Sequence, residues 1–330
     1  MTFTPADDLF HHRDPAAPNS ADPLWNESMY FSFCVPEREI NGFVYCFHRP
    51  NIGLSCGGPA MWDSSGSMSW DCIYYDWNWL QALPAGAEAT TFELESSMTL
   101  RAEEALMRYA MSYDRNGFEL DLRWTAAIEP HGMSVADQMQ QTGNGHYEQH
   151  GRITGSVRMD GSTFEIDCWS LHDRSWGPRR LGLMPGGNYS WAAADDGSAW
   201  HAVGFHPELE GSEGYSDLII GGYLYRDETV ADLVNGTRSI IDRDSLGRPT
   251  AVVIDASDAL GRDLHAEGRL VNWLDFNGYP DQLSVFGGTQ WLYDGQLAQG
   301  EDWTFYPLPE ARRVARSRLA QRRLKTAAGS

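Results

Sequence analysis

Lysine is almost missing from this chain: Lys325 is its only one, and 25 basic residues face 46 acidic ones. The net charge of −21 removes the basic face that a nucleic-acid binder requires, so no nucleic-acid partner is expected. The exception is the tail, where Arg312, Arg313, Arg316, Arg318, Arg322, Arg323 and Lys325 occur without an acid. It reads as a basic helix, either solvated or docked on an anionic surface. Cysteine is scarce, and Cys34, Cys46, Cys56, Cys72 and Cys168 form an odd set with no Cys-x-x-Cys. That argues against a disulfide framework or structural zinc and for a reducing, cytoplasmic setting. No apolar run reaches the roughly 18 residues of a membrane span, and the N-terminus lacks the basic start and apolar stretch of a secretory signal.

Other absences narrow the chemistry. There is no Gly-x-Ser-x-Gly elbow, no Walker phosphate loop and no Gly-x-Gly-x-x-Gly after a strand. Nucleophilic hydrolysis, nucleotide binding and hydride transfer therefore lose their usual sequence basis. His201 and His206 are five apart and face opposite ways on a regular strand, while His11-His12 sit in an irregular arm. No metal set and no cofactor are expected.

What the chain has in abundance is aromatic surface: 13 Trp, 14 Tyr and 13 Phe. Indoles need a partner for their N–H when buried, and they recur where a cavity is wide, flat-walled and partly polar. The sequence sets these residues in short alternating strands divided by turns. Residues 1–28 read as an irregular arm, and strand texture begins at Met29. Arg108–Asp114 and Phe118–Ala127 flank an Asn116-Gly117 hairpin signal, and Phe92–Leu100 reads as a strand before them. Only Glu103–Arg108 looks helical in this half. The polar segment Glu129–Gly151 marks a domain boundary. Beyond it, Asp160-Gly161 and Asp195-Asp196-Gly197 punctuate further hairpins. The expectation is an all-β chain of two β-domains, 29–145 and 146–309, followed by a basic C-terminal helix or tail over 310–330.

One stretch concentrates the chemistry: Cys168-Trp-Ser-Leu-His-Asp-Arg-Ser-Trp-Gly-Pro-Arg179. On the strand leading into it, Phe164, Ile166 and Cys168 share one face. If that face points inward, His172, Arg174 and Trp176 follow inward, whereas Asp173 and Ser175 face the other way. An imidazole there would act as acid or base, a guanidinium would hold an oxygen or tune an acid, and an indole would shield a cation. Such a set suits protonation of an alkene or polarisation of a carbonyl. The competing reading is structural: Asp173 with Arg174 or Arg179 forms an ion-pair lock and the tryptophans are core.

The run His172-Asp-Arg-Ser-Trp-Gly177 with Arg179, together with the lead-in His146-Tyr-Glu-Gln-His-Gly151, resembles the signature of the AttH-like and carotenoid 1,2-hydratase (hydroxyneurosporene synthase) superfamily. The resemblance is best in the second half. It implies two packed lipocalin-like antiparallel β-barrels and a lipophilic, terpenoid- or steroid-like substrate held in a Trp-rich cavity between them. It also implies cofactor-independent hydration, isomerisation or cyclisation. The order here is His-Asp-Arg-Ser where the carotenoid hydratases more often read Arg-Asp-His-Asn. Candidate catalytic residues are His172, Asp173 and Arg174; candidate substrate contacts are Trp176, Arg179, Tyr189, Trp191, Trp70, Asp71 and Trp77. The alternative is a non-catalytic carrier of a hydrophobic small molecule. Nothing in the sequence sets the oligomeric state.

Overall fold

The computed structural model describes residues 2–132, 144–180, 185–206, 216–245, 247–316 and 319. Two compact units divide the chain after Arg179. The first contains β1 (Trp25–Val35), β2 (Ile40–Arg49), β3 (Leu54–Trp62), β4 (Tyr74–Tyr75), β5 (Asn78–Ala82) and β6 (Thr91–Glu93). It continues with β7 (Thr99–Glu104), β8 (Arg108–Arg115), β9 (Phe118–Ala126), β10 (His131–Gly132), β11 (Gly145–Met159) and β12 (Ser162–Pro178). These form one twelve-stranded sheet, ordered β4-β3-β2-β1-β12-β11-β9-β8-β7-β6, with β5 on β3 and β10 on β11.

The second unit is a closed barrel of eight strands. They are β13 (Gly187–Ala194), β14 (Ala199–Phe205), β15 (Ser216–Arg226), β16 (Thr229–Arg243), β17 (Pro249–Asp258), β18 (Asp263–Tyr279), β19 (Gln282–Tyr293) and β20 (Gln296–Pro307). A helix follows over residues 308–316. The fold is all-β, built of lipocalin-like domains with a short C-terminal helix. Of the tail cations, Arg318, Arg322, Arg323 and Lys325 lie outside the described residues.

The strands follow from alternation. β9 reads buried-exposed along nearly its whole length, and its Leu120, Leu122 and Trp124 enter the core of the first unit with Phe31, Met111, Ile153 and Ile166. The tight hairpins are of the kind that needs two left-handed residues: Asn116-Gly117 has φ of 54° and 78°, and Asp160-Gly161 has 49° and 75°.

Four expectations need correction. Glu103–Arg108 is no helix: it spans the end of β7, a turn with Leu106 at φ 65°, and the start of β8. Phe92–Leu100 is split into β6 and β7 by a turn at Ser97, whose φ is 68°. Strand structure starts at Trp25, and the arm before it is ordered in short 3-10 turns, Pro5–Asp8 and His11–Arg13. Most consequentially, the hairpin expected to open the second domain pairs with β1 and β9 and so belongs to the first unit. Its lead-in looked like a linker because His146, Glu148 and His150 are polar, yet they lie on β11 with little or no exposure. Residues 133–143 of that supposed boundary lie outside the described residues.

Candidate active site

β12 carries two sets of side chains on opposite faces, as the parity of the sequence implied. The core face holds His172, Arg174 and Trp176, in line with Ile166 and Cys168. His172 is fully buried; its Nδ1 lies 3.0 Å from the Tyr30 carbonyl, which fixes the proton there, and its Nε2 has no partner. The ring stacks on Phe31 at 4.2 Å and is walled by Tyr109, Trp124 and Tyr147. Burial in this aromatic cage, seconded by the Arg174 charge, lowers the His172 pKa to about 3 against the Tyr30 hydrogen bond. At neutral pH it is an uncharged imidazole.

Arg174 is equally buried. It donates to Glu27 Oε2 at 2.7 Å, to the Leu9 carbonyl at 3.1 Å and to the Ser175 carbonyl at 3.2 Å. Glu27 also receives the Trp25 indole N–H at 2.8 Å and the His12 amide at 3.1 Å. Burial pushes the Glu27 carboxyl up, but Arg174 and His11 outweigh it and bring the pKa to about 2. His11 lies flat on Trp176, with ring centres 3.7 Å apart. The arm therefore seals this end of the core, where Asp8 accepts from the Leu106 amide at 2.9 Å and the Tyr109 hydroxyl at 2.8 Å. For Arg174 the geometry is that of a buried ion pair.

The other face is different. In the β11–β12 register Glu148 stands opposite Asp173, and His146 opposite Ser175. His146 Nε2 abuts Glu148 Oε1. Asp173 is half-buried, but its Oδ1 is shielded from solvent and has no partner. Burial and the neighbouring Glu148 charge raise its pKa to about 7, against the opposing pull of His146, Arg179 and Arg174. Burial and Arg179 lower that of His146, against Asp173. Beside them, Arg179 donates to Ser175 Oγ at 2.6 Å, and Ser175 Oγ pairs with Ser28 Oγ at 2.6 Å. The Arg179 Nε is covered and has no partner. His146, Glu148 and Asp173 offer ligand atoms within 4.8 Å of one another, a donor set that would also accept a divalent cation. Because β1 and β2 pair in register, the same face continues as Tyr30, Phe43, Tyr45 and Phe47, with Trp77 against Tyr45 and Phe47 at 5.3 and 5.9 Å.

The remaining candidates scatter. Trp70 stands in solvent at 76% exposure on the loop between β3 and β4, and Asp71 beside it uses its carboxylate to accept the Met68 amide at 2.6 Å. Neither joins the cluster: Trp70 faces solvent and the Asp71 carboxylate is used within its own loop. Tyr189 and Trp191 share a face of β13 in the second unit: Tyr189 stacks on Trp303 at 4.4 Å and Trp191 donates to Glu301 at 2.9 Å. Glu27, His146 and Glu148 escaped the sequence reading as candidates. The last two were legible: extending the Met159–Ser162 pairing eleven residues back along each strand sets Glu148 against Asp173.

Fold and site together define a lipocalin-like β-protein with a mixed acid, imidazole and guanidinium cluster on a sheet face. The chain belongs to the family described as Domain of unknown function (DUF7064), whose model matches residues 4–297. No curated protein matches it in sequence. Among solved structures it is similar to an AttH-like protein of Nitrosomonas europaea, at 15% identity and TM-score 0.56, over 93% of this chain and 99% of that one. CghA with Sch210972 matches at 12% identity and TM-score 0.54, over 88% and 91% of the two chains. Kievitone hydratase from Nectria haematococca matches at 11% identity and TM-score 0.51, over 93% and 95%. These likenesses bear out the AttH-like fold that the motif implied.

Proposed function

We propose that the protein is an acid–base enzyme acting on a lipophilic small molecule by hydration, isomerisation or cyclisation, with Asp173 as the proton donor. One observation carries this: a carboxyl with an unpartnered oxygen, opposite Glu148, whose pKa lies near 7. A general acid works best when its pKa is close to the operating pH. Glu148, in contact with His146, is the complementary base. The aromatic strip from Tyr30 to Phe47 supplies apolar surface on the same face. His172 is a poor proton carrier, since its imidazole stays neutral well below physiological pH. Arg174 is engaged with Glu27 and serves structure. The likeness to kievitone hydratase favours this class of reaction over simple ligand carriage.

The test is incubation of the protein with pooled terpenoids, steroids and phenolics in water enriched in deuterium and oxygen-18, followed by mass spectrometry. Oxygen-18 at a former alkene identifies a hydratase, deuterium alone an isomerase, and a shifted retention time at unchanged mass a cyclase. Asp173→Asn is expected to lower the rate by about 100-fold or more. Binding without any change of any compound would make the protein a carrier.

A further inference from the structure

The face of β12 that carries Asp173 gathers three groups of a kind that ligate metals. His146 and Glu148 are two apart on β11 and so share a face, and the hairpin register sets Asp173 across from Glu148. Side chains directly opposite in an antiparallel pair have Cβ atoms about 5 Å apart. The result is a compact set: one ring nitrogen and one oxygen from each carboxylate, all within 4.8 Å of one another. Two carboxylates placed opposite each other repel, and little water screens this pair, since the Glu148 side chain is 1% exposed. Asp173 Oδ1 is shielded too and has no partner. A covered oxygen without a partner points to a ligand that the chain does not itself supply. The exposed trio of Asp255, His265 and Glu267 on β17 and β18 carries no such sign. There the two carboxylates sit on different nitrogens of one ring, at 2.7 and 3.4 Å, and the ring stands between them.

We infer that His146, Glu148 and Asp173 form a binding site for one zinc ion. The inference goes beyond the acid–base reading of this face and holds whether or not that reading does. The donor set selects the metal class. An imidazole nitrogen suits zinc and its neighbours in the transition series, whereas magnesium and calcium prefer a shell made wholly of oxygens. Tetrahedral zinc holds its ligand atoms at about 2.0–2.2 Å, which sets them about 3.4 Å from one another. Closing the set from at most 4.8 Å to that spacing is a matter of side-chain rotation. Two carboxylates neutralise the dication, so ion and ligands are cheaper to bury together than the carboxylate pair alone. Three protein ligands leave a fourth position for water or a ligand atom. Sequence spacing hid the set because its donors come from two strands joined at the distant Asp160-Gly161 turn. The bound ion takes the Asp173 carboxylate that the acid–base reading assigns to a proton. The two uses exclude each other, and zinc is expected to inhibit.

The full-length protein, stripped with a chelator and desalted, is titrated with zinc chloride against a chromogenic competitor. We expect about one zinc per chain, not displaced by a roughly hundredfold excess of magnesium or calcium. Asp173→Asn, Glu148→Gln and His146→Gln should each weaken binding at least about tenfold. His265→Gln should leave it unchanged. Circular dichroism selects the variants that fold, and any one of the first three is decisive. Cobalt chloride added to the parent tests the site without a substitution. It should give the visible absorption of a nitrogen–oxygen site without cobalt–thiolate charge transfer, which separates this site from the five cysteines. No zinc bound, binding indifferent to the folded variants, or a thiolate band at one equivalent overturns the inference. If zinc binds through these residues yet leaves turnover of a substrate found in the isotope screen unchanged, the metal site stands and Asp173 is not the proton donor. If Asp173→Asn abolishes that turnover and the parent binds no zinc, the acid–base reading stands and this inference falls.

Discussion

Between about pH 4 and about pH 7 the Asp173 carboxyl keeps its proton in the folded chain and loses it in the unfolded one. The folded state binds more protons across this window, so stability falls as pH rises through it and levels off above about 7. Asp173→Asn removes the titration. Urea unfolding should find the variant nearly as stable as the parent near pH 4 and more stable at pH 8, by a few kcal/mol at most given the residue's partial exposure. Activity should follow the same proton: kcat/KM falls as pH rises through about 7. Glu27 has the opposite sign. Its depressed pKa contributes stability above about 4.5, which is lost as pH falls toward 2. Removing its charge by Glu27→Gln leaves Arg174 buried without a counter-ion and should cost about 3–5 kcal/mol in denaturant unfolding. His172→Phe, by contrast, places a further phenyl ring in an aromatic cage and removes an unpartnered Nε2. It should fold and keep most of the turnover; loss of turnover without loss of folding would return the proton to His172.

At the scale of elements, the long hairpin of β11 and β12 does most of the organising. Its 15 and 17 residues reach from the Asp160-Gly161 turn, across the core, to the cluster at Asp173. The parity of β12 was legible because Phe164, Ile166 and Cys168 alternate cleanly with Thr163, Glu165 and Asp167. Its partner was legible through register counted from the Asp160-Gly161 turn but not through hydropathy, because on β11 the face opposite Asp173 carries His146 and Glu148, and buried ionisable residues read as loop in a hydropathy pattern. The arm hid for a related reason. Its Leu9 carbonyl, His11 ring and His12 amide bind through backbone and stacking, which leave no composition signal. Deleting residues 1–13 should expose Arg174 and Trp176 and lower Tm by several degrees or more, read by circular dichroism.

For the molecule as a whole, the class was readable from strand spacing, turn residues and the His-Asp-Arg-Ser-Trp-Gly run. The dividing point was not: it falls at Arg179, after the motif rather than before its lead-in. Barrel closure in the second unit depends on the pairing of β13 with β20, strands separated by most of that unit, and sequence carries no local trace of it. Inside this barrel Arg238 donates to Asp302 at 2.8 Å, to Asp217 at 2.9 Å and to Thr304 at 3.1 Å. Such a buried network is a structural lock, unlike the partly unpartnered groups near Asp173. With a net charge of −21, the chain also repels itself at low ionic strength. Raising sodium chloride from 10 to about 200 mM should raise Tm, since that salt screens like charges beyond about 10 Å.

The strand β12 resembles text with two messages written in alternate letters. Odd positions carry Asp173 and Ser175 and even positions carry the cage and the ion pair, so one shift of frame exchanges them. An insertion or deletion of one residue between Asp160 and Asp173 would deliver Asp173 to the core and His172 to the face that now carries Asp173. A change of two residues would preserve the message and displace only its address along the sheet. Lineages of this fold are therefore free to vary the turn in steps of two, and a library built that way is the natural place to look for altered substrates.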